Sequence, residues 1–192
     1  MAESAKEIEI KLRLASPDEG KRRIAAAGFA IVRPRIFEVN FLLDTSAGVL
    51  STRGETLRVR ERGGETILTY KGPVEERSRH KTREEIEMTA AGQAGALLRI
   101  FARLGFGATY RYEKFRTEFA RPAESGVVML DETPIGTFLE IEGAGDWIDL
   151  TAARMGFSEK HYVNDSYSAL HRRHCLEAGR EIGAGMIFEG NT

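Results

Sequence analysis

Charged and apolar residues alternate along much of this chain. From Glu7 the order is Glu-Ile-Glu-Ile-Lys-Leu, which puts Ile8, Ile10, Leu12 and Leu14 on one side of an extended strand and Glu7, Glu9 and Lys11 on the other. The pattern predicts a strand over 7–14. Ser16 and Pro17 then have the residue types of a helix cap and first helical position, and a helix is predicted to about residue 27, ahead of Gly28. Further strands are predicted over 35–43, 56–61 and 66–71. The last two are joined through Gly63 and Gly64, a hairpin signal. A polar loop over 72–81 leads to a strand over 83–89, an amphipathic helix over 92–104 and a strand over 110–119. Two short strands, 127–131 and 137–142, flank a turn at Pro134-Ile-Gly136. Asp146 is expected to cap a helix running to residue 155, and a last helix is expected from 164 to about 178. The organisation expected is one domain over 1–178 followed by a Gly-rich tail over 179–192, which receives no secondary structure.

The same alternation places charge on one face of nearly every strand. Arg58 and Arg60 oppose Leu57 and Val59. Thr69 and Lys71 share a face. Arg83, Glu85 and Glu87 oppose Ile86 and Met88. Lys114 and Arg116 flank Phe115, Glu140 and Glu142 flank Ile141, and Asp131 has the parity of Val127 and Met129. The ordinary explanation is an antiparallel sheet with one face in water. Three features point elsewhere. The charged faces use Glu, Arg and Lys almost exclusively, where solvated strands also take Thr, Ser and Gln. The helices are few and amphipathic, suited to covering the apolar face from outside. The signs also segregate, with Glu pairs on the first and last strands and Arg and Lys on those between.

If such a sheet closes, its charges face inward. Buried charge without a partner is very costly, so the interior must be a wet tunnel that takes a charged ligand. Arginine and lysine suit phosphates. Carboxylates two residues apart on a strand lie roughly 6–7 Å apart, and several of them together suit a hard cation such as Mg²⁺. A metal-bridged polyphosphate accounts for both signs.

Composition narrows the function class. The chain has 192 residues, with 28 Lys and Arg against 29 Asp and Glu. That balance gives no reason to expect nucleic acid or a membrane surface as partner. No apolar run approaches the ~20 residues of a membrane span. A single cysteine, Cys175, excludes an internal disulfide and fits a reducing compartment, so a cytoplasmic location is expected.

These residues, in this order, resemble the CYTH superfamily, the triphosphate tunnel metalloenzymes, which include class IV adenylyl cyclases and thiamine triphosphatases. The elements carrying the resemblance are Glu7-x-Glu9-x-Lys11, Arg58-x-Arg60, Lys71-Gly-Pro, Arg83-Glu-Glu85-x-Glu87, Lys114-x-Arg116, Leu-Asp131 and Glu140-x-Glu142. The resemblance implies an α+β fold, an eight-stranded antiparallel β-tunnel with outer helices. It implies Mg²⁺ or Mn²⁺ and a small-molecule triphosphate such as ATP, thiamine triphosphate or tripolyphosphate. By position, Lys11, Arg58, Arg60, Lys71, Arg83, Lys114 and Arg116 are implied to hold phosphates. Glu7, Glu9, Glu140, Glu142, Asp131 and Glu87 are implied metal ligands, and Lys11, Glu85 and Asp131 are implied to act in catalysis. Hydrolysis is the expected reaction, with cyclisation of ATP the alternative and a non-catalytic polyphosphate-binding module a second. A homodimer is compatible with the sequence.

Other features carry two readings each. Ser166-Tyr167-x-x-Leu170 resembles an element of cyclase-like and thiamine-triphosphatase-like members, and equally suits a helix start packing on the tunnel wall. His171, His174 and Cys175 have the residue types of a zinc site without its second ligand pair. The basic loop from Glu75 to Lys81 is a lid or a plain solvated charge run. If the tunnel carboxylates repel one another, Glu9→Gln is expected to raise thermal stability while ending metal-dependent activity.

Overall fold

In a computed structural model, residues 4–75, 79–183 and 185–190 are described. Glu76, Arg77 and Ser78, the middle of the basic loop, lie outside the described residues. Eight strands form the body: β1 (Ser4–Leu14), β2 (Ala30–Thr45), β3 (Thr56–Arg62), β4 (Glu65–Lys71), β5 (Lys81–Ala91), β6 (Phe106–Ala120), β7 (Val127–Thr133) and β8 (Gly136–Glu142). Their order in the sheet is β2-β3-β4-β5-β1-β8-β7-β6, and β6 pairs back onto β2. Every one of these pairings is antiparallel, so the sheet is a closed eight-stranded barrel. Among the described residues no helix is long and apolar enough to cross a membrane.

Closure depends on β2 and β6, the two longest strands. Their register shifts at Ile31/Arg33, Arg33/Ile36 and Leu42/Leu43. Such bulges add twist and let a sheet curl. Pro34 falls within the second of them, between Arg33 and Ile36, where a residue without an N–H is tolerated. That is why β2 begins at Ala30 and not after the proline, as the sequence pattern suggests.

Among the described residues five α-helices lie against or across the barrel: α1 (Pro17–Ala26), α2 (Val49–Thr52), α3 (Ala94–Arg103), α4 (Gly145–Arg154) and α5 (Tyr167–Glu177). Ser16 caps α1, its side chain accepting from the Glu19 N–H. The outward residues Ile10, Leu12, Leu130, Leu139 and Ile141 form one core with Ile24 of α1 and Ile148 of α4. Gly20 lets α1 sit close, since a Cβ there would fall 2.6 Å from Leu130 Cδ1. A second core joins Leu43 and Val59 to α3 through Ala94, Leu97 and Phe101. Helix α5 packs over one end of the barrel, where Tyr167 and Leu170 meet Tyr112, Phe138 and Ile135.

Some local expectations change. The turn after Asp44 holds α2, because the Asp44 carboxylate accepts from the N–H groups of Thr45, Leu50 and Ser51. Asp146 lies in the first turn of α4, whose cap is Ala144. The Gly-rich tail contributes a short strand, β9 (Gly185–Met186), parallel to β6. Behind it Phe188 packs on Phe37 and Phe115. Near α4, Gly126 faces Trp147 so closely that an added Cβ would lie 2.2 Å from ring carbon Cζ3. Gly126→Ala should therefore lower stability by about 1–3 kcal/mol, the usual cost of overpacking, read as a fall in the denaturant midpoint.

Candidate active site inside the barrel

The barrel encloses a cavity of about 640 Å³. All but one of the phosphate, metal and catalytic candidates named from sequence line it. The exception is Asp131, which is fully buried beneath Lys114, Arg116 and Tyr167. The charged strand faces thus point inward, and a solvated outer face is excluded. Strands β1, β5 and β8 carry the acidic wall. Strands β3 and β6 carry most of the cationic one.

On the acidic wall, Glu7 Oε1 meets Lys71 Nζ at 2.5 Å and Oε2 meets Arg83 Nε at 3.1 Å. Glu9 Oε1 meets Lys81 Nζ at 2.8 Å and Lys11 Nζ at 3.2 Å. Burial opposes the charge on Glu9, yet Lys11 and Lys81 hold its carboxyl well below the ordinary value. Lys11 also lies 3.4 Å from Glu140. Against the cost of burial, Glu140 and Glu9 keep it protonated above the usual lysine range.

Glu142 differs. Among the described residues no cation stands within ion-pair distance of it. Burial first, then repulsion from Glu7, Glu9 and Glu85, pushes its pKa up to about 7, with Lys71 opposing. Glu85 is raised too, by burial and by Glu7, against Lys71 and Arg58. Part of the acidic wall is therefore held in mutual repulsion.

The cationic wall is incompletely paired. Arg58 gives Nη2 to Thr69 Oγ1 at 3.0 Å, but its nearest carboxylates, Glu87 and Glu85, stand at 3.9 and 4.0 Å. Its buried Nε has no partner among the described residues. Arg60 donates to Asn40 Oδ1 at 3.0 Å. Burial, followed by Arg58, lowers its pKa although Glu38 opposes them. Lys81 falls to about 8 through burial and the charge of Lys11. A wall of this kind gains from a polyanion.

Asp131 was expected to ligate metal or act in catalysis, and the structure gives its oxygens to other partners. They accept from Lys114 Nζ at 2.8 Å, from Arg116 at 2.7 and 2.6 Å, and from the Tyr167 hydroxyl at 2.7 Å. With four donors already around it, Asp131 fixes Lys114 and Arg116 from behind. The Tyr167 ring lies 5.4 Å from Lys11 Nζ and 5.1 Å from Lys114 Nζ, so this residue touches the site and closes its end.

Sequence reasoning missed Glu38, Asn40, Lys81 and Tyr112, all buried on the inner face. The alternation Phe37-Glu38-Val39-Asn40-Phe41 carried the signal for the first two. His171 is a satisfied core histidine. Its Nδ1 meets the Tyr110 hydroxyl at 2.9 Å and its Nε2 meets Cys175 Sγ at 3.3 Å.

The carboxylates fit a divalent metal by their chemistry. They offer only oxygen, and Glu142 and Glu85 gain from a cation. Among the described residues no three His, Cys, Asp or Glu side chains form a ready metal cage. Mg²⁺ does not need one, since it is commonly held by one or two carboxylates with waters and substrate phosphates.

Comparison with known proteins agrees with this architecture. A profile of the CYTH domain matches residues 5–166. A putative adenylate cyclase of Methanocaldococcus jannaschii is 29% identical over 136 residues, 71% of this chain and 75% of that protein. The structure of a putative adenylate cyclase from Vibrio parahaemolyticus matches with a TM-score of 0.73 at 18% identity, over 88% of this chain and 98% of that one. A Hippeastrum protein, described as a putative adenylyl cyclase with a dominant triphosphatase activity, matches with a TM-score of 0.64 at 22% identity, over 91% and 97%. At these identities the structural likeness speaks for the fold, whereas the domain profile spans most of the chain. The chain belongs to the CYTH domain family.

Proposed function

We propose that this protein hydrolyses a triphosphate inside the barrel with the help of Mg²⁺ or Mn²⁺. The observation that carries the reading is the under-paired cationic wall of Arg58 and Arg60 facing carboxylates whose pKa values are raised. Lys11, Arg58, Arg60, Lys71, Arg83, Lys114 and Arg116 hold the phosphate chain. Glu7, Glu9, Glu140 and Glu142 are the positions for metal, with Glu87 at the rim. When bound, a divalent ion supplies charge neutralisation and Lewis-acid polarisation of the phosphate.

The remaining work belongs to the chain. Phosphoryl transfer depends mainly on positioning and on stabilising developing charge. Arg58 and Arg60 take up charge as the bridging P–O bond breaks. Lys11, kept protonated between Glu9 and Glu140, acts as fixed charge and not as a base. Glu85 lines the cavity with a raised pKa and accepts the proton of the attacking water. The water oxygen bonds to the terminal phosphorus, and the diphosphate end leaves with the bonding electrons.

The names of the relatives favour a second reading. There the ribose 3′-hydroxyl of ATP attacks the α-phosphorus and pyrophosphate leaves. One assay separates the two. The protein is incubated with Mg²⁺ or Mn²⁺ and, separately, ATP, thiamine triphosphate and tripolyphosphate, and orthophosphate, pyrophosphate and cyclic AMP are quantified. Metal-dependent orthophosphate release is expected. Cyclic AMP with pyrophosphate would replace hydrolysis by cyclisation. Binding of the phosphate chain without any product would replace an enzyme by a binding module.

A further inference from the structure

Strand β2 lies between the two cationic strands. Glu38 stands opposite Arg62 on β3 and Lys114 on β6, and Asn40 stands opposite Arg60 and Tyr112. The Glu38 carboxylate has no exposed surface. It lies 3.6 Å from Arg60 Nε, 3.8 Å from Lys114 Nζ and 3.9 Å from Arg62 Nη1. Among the described residues neither of its oxygens has a hydrogen-bond partner. The cations bond elsewhere: Arg60 to Asn40, Lys114 to Asp131 and Arg62 to Glu118.

A buried carboxylate that stabilises a fold normally accepts several hydrogen bonds, because these offset its desolvation. Asp131 is such a group in this protein, and Glu38 is not. Glu38 nevertheless stays ionised. Burial opposes its charge, but Arg60, Lys114 and Arg116 hold its pKa at about 2. It is a permanent negative charge bound to its neighbours by field alone, directly behind the cations that face the cavity.

We propose that Glu38 is the resident counter-charge of the phosphate wall, a positioning residue that weakens the wall's grip on polyphosphate so that product can leave. The inference rests on the triphosphate reading above. Substrate and product share most phosphate contacts, so a stronger wall would hold both more tightly. Such uniform binding lowers KM without speeding the chemistry, and it slows release. One charge removed at roughly 6 Å in a partly screened site changes anion affinity by about tenfold.

The test measures binding of imidotriphosphate and of pyrophosphate in Mg²⁺ by titration calorimetry, for wild type, Glu38→Gln and Asn40→Asp. Thermal unfolding of each is recorded alongside. Glu38→Gln should lower both dissociation constants about tenfold and reduce kcat and KM together. Asn40→Asp adds a charge to the same strand and should raise both dissociation constants by a similar factor. A merely structural role would move stability and leave this opposite pair of shifts unmade. If Glu38→Gln does not fold, Asn40→Asp decides alone, and unchanged binding there overturns the inference. Wild-type binding with unchanged or weaker binding in Glu38→Gln also overturns it, leaving the triphosphate reading intact. A wild type that binds neither anion removes both.

Discussion

Replacing Arg58 by alanine should lower kcat/KM for the preferred triphosphate by about 10²–10³-fold while leaving the melting temperature nearly unchanged. The loss is that of one preorganised charge aimed at the reacting phosphates. The small effect on stability follows from how Arg58 is held. It donates to Thr69 at 3.0 Å and, at 3.5 Å, to the Tyr112 hydroxyl, while its carboxylate neighbours stand near 4 Å and its Nε is unpartnered among the described residues. It also repels Arg60, whose pKa it depresses after burial. Removing it costs about 1 kcal/mol of hydrogen bonding and the pull of Tyr112, Glu85 and Glu87 on its charge, partly offset by relief of Arg60. Arg116→Ala is the contrast. It strips a two-point contact from buried Asp131 and another from Glu140, so it should lose activity together with about 3–5 kcal/mol of stability. Steady-state kinetics and thermal melts on the two variants check this. Full activity in Arg58→Ala would remove the wall from the mechanism.

Glu142→Gln should stabilise the metal-free protein and end metal-dependent turnover. The pKa of Glu142 is raised to about 7, by burial and then by Glu7, Glu9 and Glu85. Between the ordinary glutamate value of about 4.3 and about 7, the native state keeps a proton that the unfolded chain has released. Stability therefore falls as pH rises through that window, and the cost is complete above it. The glutamine variant lacks this titration. Its advantage should be absent near pH 4 and reach about 2 kcal/mol by pH 8, a figure reduced from the full shift because the group is partly exposed. Mg²⁺ should raise the melting temperature of wild type and do so less in the variant. Melts across pH, with and without Mg²⁺, read both effects. An advantage independent of pH would disprove the repulsion.

The same reasoning reverses the expectation for Glu9. Read from sequence, Glu9→Gln relieves repulsion. In the barrel Glu9 is the shared partner of Lys11 and Lys81, with Arg83 at 3.9 Å. Its removal leaves buried cations unpaired, so this variant should be less stable than wild type. The repulsion falls instead on Glu142 and Glu85.

Side-chain parity is a local property of extended chain, and that is why so much of this protein was legible before folding. Glu7, Glu9 and Lys11 share a face whatever they pair with, as do Arg58 and Arg60, or Glu140 and Glu142. Alternation therefore determined the strands and gathered the acidic and basic faces. Their opposition to apolar faces pointed to an interior tunnel. Gly63 and Gly64 marked the hairpin in the same local way, and Ser16 marked the start of α1.

What alternation could not determine is which charge meets which. The pairing of β2 with β6 joins residues 61 to 90 positions apart in the chain, from Thr45 with Phe106 to Ala30 with Ala120, and the bulges around Pro34 set the register in which it closes. That register puts Glu38 between Arg62 and Lys114, buries Asp131 against Tyr167, and leaves Glu142 with no cation in ion-pair distance among the described residues. Electrostatic partnership depends on distances of a few ångströms across strands remote in sequence. Only the closed barrel fixes those distances, and with them the sign of each carboxylate's contribution to stability.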